Sequence, residues 1–217
     1  MNKNIILTTL FVISIQMICF SQFFIGAKAG YTSSWPDYGD IELPEDAQTD
    51  INGLNINVIL NYSITKKISV GLEPGYVNRG AACLPGWSPV WEGDSELLIN
   101  YIELPLLLKY KWKLSNKLSL NTAAGYGASY LVSAYRSIQN NIDEPAMVTQ
   151  LDVSDVWDSS TKRLDHGLYF GSGFSYELGI GSIVSDIRYY QGVPNIERRN
   201  FMKNRSLSFS VGYMIKI

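Results

Sequence analysis

The chain has 217 residues, with 18 basic and 20 acidic side chains and a net charge of −2, which excludes the broad basic face that nucleic acid requires. One histidine and two cysteines are too few for a disulfide framework or a His/Cys metal cluster. Beyond residue 21 no apolar run approaches the roughly 20 residues of a membrane-spanning helix. A membrane role therefore requires a closed barrel, in which every backbone group finds its partner inside the sheet.

The N-terminus reads as a secretory leader. Lys3 supplies the positive start, residues 5–20 are almost wholly apolar, and Ser21 is a small residue before the expected cleavage point. Residues 1–21 are assigned as signal peptide and 22–217 as an outer-membrane β-barrel domain. Bulky Ile18 argues against lipid attachment at Cys19. Cleavage removes Lys3 and leaves 17 bases against 20 acids, with Cys83 as the remaining cysteine.

Alternation of period two predicts eight strands, over 23–31, 54–62, 68–78, 101–112, 118–131, 168–176, 183–191 and 207–217. In the fourth, Ile102, Leu104, Leu106, Leu108, Tyr110 and Trp112 share one face, and Tyr101, Glu103, Pro105, Leu107, Lys109 and Lys111 the other. In the eighth, Leu207, Phe209, Val211, Tyr213, Ile215 and Ile217 alternate with mostly small or polar residues. Eleven residues fit a tilted membrane strand of about 9–11 residues. The connections run 22, 5, 22, 5, 36, 6 and 15 residues. Long and short alternate, as in an antiparallel up-and-down transmembrane barrel with tight periplasmic turns and long exterior loops.

A soluble lipocalin-like barrel binding an apolar ligand in the periplasm would share the strand count, so the polar face decides. In the fifth strand that face is Ser119, Asn121, Ala123, Gly125, Gly127 and Ser129, small residues suited to a cramped interior. Its charges have both signs: Lys28, Glu73, Arg79, Glu103, Lys109, Lys111, Glu177, Asp186 and Arg188. Buried together they must pair. Glu73, Glu103, Lys109 and Arg188 are the expected lumen charge network, with Lys109 meeting Glu73 or Glu103 and Arg188 reaching across; an ion path is the competing reading. Aromatics near the strand ends of the apolar face suit interfacial girdles.

Three segments carry a resemblance. IGAKAGY (25–31), VGLEPGYVNRG (70–80) and YIELPLLLKYKW (101–112) resemble the first, third and fourth strands of the PorT-like outer-membrane β-barrel proteins. The third is the most specific, with an aromatic, an acid, Leu-Pro and a leucine run closing on Lys-Tyr. The resemblance, from Phe23 to Ile217, implies an outer-membrane protein of Gram-negative bacteria and a link to protein secretion, the role of the namesake. One departure is the last residue, Ile217, where many such barrels end in an aromatic.

Few constellations suit chemistry. His166 with Asp165 and Ser159 or Ser160 would be the site of an outer-membrane lipid-modifying enzyme, but adjacent strand residues face opposite ways. The first long loop holds Asp37, Asp40, Glu42, Glu45, Asp46 and Asp50. Its oxygens suit Ca²⁺ or, more simply, a solvated acidic loop. Trp35, Trp87, Trp91 and Trp157 fall in long connections and serve loop packing or contact with a protein or glycan. The expectation is a monomeric, non-enzymatic outer-membrane barrel without cofactor, lipid-embedded, with no nucleic-acid partner and with exterior loops making contacts.

Overall fold

A computed structural model describes residues 22–37, 48–83, 94–139, 147–151, 163–195 and 203–217. The assigned signal peptide lies outside them. The described chain holds eleven strands: β1 (Gln22–Asp37), β2 (Gln48–Thr49), β3 (Ile51–Ser63), β4 (Ile68–Leu72), β5 (Gly75–Cys83), β6 (Asp94–Lys113), β7 (Leu118–Gln139), β8 (Met147–Leu151), β9 (Leu164–Glu177), β10 (Gly181–Gly192) and β11 (Lys203–Lys216).

Eight of the sheet's positions close on themselves. Every pairing is antiparallel, and β1 joins β11 from Phe24↔Lys216 to Asp37↔Lys203 while its other edge joins β3. β4 and β5 together make one stave, each pairing with β3 on one side and β6 on the other. The predicted single strand over 68–78 is thus interrupted at Glu73–Pro74, because Pro74 has no N–H to give the ladder. Glu73 N still donates to Pro105 O (3.1 Å) and Val58 N to Pro74 O (2.9 Å), so the stave holds its line. β2 and β8 are short additions beside β5 and β7.

Tight turns 64–67, 114–117 and 178–180 lie at one end with Gln22 and Ile217; the long connections leave from the other. At this loop end the strands outrun the alternation. β6 starts at Asp94 rather than near 101, and β7 continues to Gln139 rather than 131. A bulge hides the extension: Asn100 pairs with Ser133 but Tyr101 with Leu131, so Val132 is extra and the parity of β7 reverses beyond it. Leu131 and Ala134 are consequently both buried.

The apolar face points outward. Leu54, Ile56, Val58, Ile102, Leu104, Leu106, Leu108, Phe170, Phe174, Ile187, Phe209 and Val211 are all exposed, and none of these outward positions carries a charge. From Ile102 to Trp112 the rise of about 3.3 Å per residue at a tilt of about 40° gives a belt of about 25 Å, the height of a barrel's hydrocarbon contact. Tyr62, Tyr110, Trp112, Tyr130 and Tyr213 stand toward its edges, with Tyr110 and Trp112 rings 4.6 Å apart. The lipocalin-like alternative requires the reverse orientation and fails on this arrangement.

Candidate functional site in the barrel interior

Inward parity brings the polar residues of every stave into one column. Nearest the turn end is an open cup of about 640 Å³, bounded by Asn61, Lys109, Asn121, Ser175 and Ser182 among others.

Its floor is an ion cluster. Glu73, only 1% exposed, is met by Lys28 Nζ at 2.8 Å, Lys109 Nζ at 2.5 Å and Arg188 Nη1 at 2.8 Å. Asp186 holds Lys28 (2.5 Å) and the second nitrogen of Arg188 (2.7 Å). Three cations against two carboxylates leave this layer one positive charge in excess. Such a group survives burial because each charge has a partner; deleting one partner strands the others.

Above the floor the column fills. Arg79 gives one nitrogen to Glu103 (2.6 Å) and the other to Ser129 (3.0 Å), and its guanidinium carbon sits 4.0 Å from the centre of the Tyr190 ring. Tyr169 OH and Asn57 Nδ2 donate to the two Glu103 oxygens, both at 3.0 Å. Tyr169 and Tyr190 rings lie 4.8 Å apart. A small cavity among these side chains has about 10 Å³, room for one water at most. Toward the loop end Val77, Leu97, Ile99, Tyr101, Leu131 and Ala134, on the neighbouring staves β5, β6 and β7, form a buried apolar cluster facing the interior. Asn204 bridges Tyr101 and Asp165 beside it.

Of the four lumen charges expected from sequence, Glu73, Lys109 and Arg188 meet in one cluster, while Glu103 lies in the next layer with Arg79. Lys28, Arg79 and Asp186 complete the two clusters. Their own alternation put them on the polar face, but only ring closure through β11 brings Lys28 of β1 to Asp186 of β10. Alternation also missed Leu97 and Ile99, inward residues beyond the expected strand.

At the loop end Trp35 packs near Tyr189 (6.4 Å between rings), and Arg205 ties Asp37 (2.5 Å) to Gln191 (2.9 Å). Asp50 accepts from Ser33 at 3.2 Å. Trp87, Trp91, Trp157, Asp40, Glu42, Glu45, Asp46, Ser159 and Ser160 lie outside the described residues. Asp165 points inward to Asn204, whereas His166 contacts Tyr126 OH (2.5 Å) on the outer face, so the two do not form a pair. Among the described residues no three His, Cys, Asp or Glu side chains are grouped as metal ligands.

Residues 20–198 match the family model described as outer membrane protein beta-barrel domain. Among solved structures the chain is similar to Neisserial surface protein A, at 14% identity and a TM-score of 0.50, over 90% of this chain and 97% of that one. It is also similar to the outer membrane protein OprG from Pseudomonas aeruginosa, at 16% identity and a TM-score of 0.51, over 91% and 95%. At these identities the likeness concerns the fold alone. No curated protein matches.

Proposed function

The chain belongs to the outer membrane protein beta-barrel domain family, and from that premise we propose that it is a non-conducting, non-enzymatic outer-membrane barrel that works through its exterior end. With the tight turns assigned to the periplasm, as in such barrels, the loop end faces outside. The observation that carries the reading is the filled column around Arg79, where the cavity among the side chains has about 10 Å³, room for one water at most. A solute has no passage there.

What remains for contact is the exterior rim. Residues 94–101 of β6 project roughly 20 Å beyond the belt at the same rise and tilt. The Trp35–Tyr189 contact and the Arg205–Asp37 ion pair stiffen that end, which lowers the ordering cost of binding. The partner is a protein or glycan, met by Trp35, Trp87, Trp91 and Trp157. The opposed directions of Asp165 and His166 argue against hydrolytic chemistry. The PorT-like character of the three segments supports membership of that group and a place in protein secretion, with residues 1–21 as the export signal.

Affinity capture with the detergent-solubilised barrel tests the reading. A specific envelope or surface component should be retained by the wild type and lost when the four tryptophans are replaced by alanine in a folded variant. A steady solute flux in liposomes, or the same retained set with and without the tryptophans, would overturn it.

A further inference from the structure

The cup at the turn end plays no part in exterior contacts, yet it is built like a binding site. Its volume of about 640 Å³ falls inside the roughly 300–1,000 Å³ of pockets that enclose small ligands. Eight basic and three acidic side chains line it, in a chain whose overall charge is negative. The floor cations are held by Glu73 and Asp186, and Lys111 by Glu177 at 2.9 Å. Lys66, Lys67, Lys117 and Lys216 have no ion pair among the described residues. They stand around the mouth on two turns and the last strand. A concave site lined by one sign of charge concentrates the opposite ion.

The floor adds a second requirement. Asn61 is 7% exposed and lines the cup, and among the described residues neither its Oδ1 nor Asp186 Oδ1 has a hydrogen-bond partner. Both oxygens are shielded where they stand, so a ligand N–H satisfies them once the Asn61 and Asp186 side chains turn toward the cup. The rim lysines are spread over two turns and the last strand, so one compact anion cannot engage all four together. Several carboxylates along a short backbone with N–H groups can.

We infer that the periplasmic cup binds a short acidic peptide, with its carboxylates on the rim lysines and its backbone donors toward Asn61 and Asp186. This site is separate from the exterior reading and stands or falls without it.

Calorimetric titration of the full barrel in detergent with triglutamate, triglycine and inorganic phosphate tests the inference. Triglutamate should bind, triglycine and phosphate at least tenfold more weakly. Combined Lys66→Ser, Lys67→Ser and Lys117→Ser, all on exposed turns, should weaken triglutamate at least tenfold while the unheated protein keeps its fast gel mobility. Ala123→Phe, which fills the cup and leaves every charge in place, should do the same. Absent triglutamate binding, equal binding of triglycine or of phosphate, or an affinity indifferent to the folded lysine variant overturns the assignment.

Discussion

Glu73 and Arg188, 115 residues apart in sequence, meet across the lumen at 2.8 Å. Glu73 is the hub of its layer: Lys28 and Lys109 converge on it as well, and it sits where Pro74 interrupts the stave. The residue that breaks the backbone ladder is thus next to the one that ties its own stave to three others through side chains.

Glu73→Ala should be among the most damaging single changes in the interior, because it leaves Lys109 without an ion pair and Lys28 and Arg188 with Asp186 alone. Loss of about 3–5 kcal/mol is the expected scale for removing one partner of a buried pair. Urea unfolding of the refolded barrel measures it. Glu73→Gln combined with Lys109→Met should recover part of the loss, and a double variant no more stable than Glu73→Ala would count against the hub.

Glu103→Ala should also destabilise, though Arg79 keeps Ser129 and the Tyr190 ring as partners. Neither it nor Arg79→Ala should open a steady current in planar bilayers, since Tyr169, Tyr190 and the apolar cluster of Val77, Leu97, Ile99 and Leu131 still occupy the lumen. A porin-sized conductance in the wild type would contradict the filled column.

Leu106→Arg places a charge in the middle of the outward belt, at a side chain 54% exposed. It should cost about 2–4 kcal/mol in lipid. Ser208→Arg, one face over, displaces the Thr32–Ser208 hydrogen bond inside and should act through packing instead. Folding free energies in vesicles separate the two, and a neutral Leu106→Arg would refute the outward face.

Gly30 lies on the seam that closes the barrel. A Cβ there would stand 1.9 Å from Phe209 O of β11. Gly30→Val should therefore block closure, and the heat-dependent gel shift of a closed barrel should disappear.

Export should remove residues 1–21. Mass spectrometry of the outer-membrane form should find Gln22 at its N-terminus, and a chain that retains Lys3 would show the leader uncut.

The alternation along each strand was enough to identify an antiparallel barrel, its eight staves and its outward face, because strand side chains alternate strictly and lipid admits only the apolar set. It also put Lys28, Glu73, Arg79, Glu103, Lys109, Asp186 and Arg188 on one side of the sheet. Which of these meet was settled by tertiary structure. Lys28 and Asp186 are joined only when β1 closes on β11, and the bulge at Val132 turns Leu131 and Ala134 to the same side. The division between open cup and filled column had no signature in the pattern, since it depends on where Arg79, Tyr169 and Tyr190, from three different staves, reach the same level of the lumen. Periodicity is a property of one strand, whereas register and closure are properties of the ring.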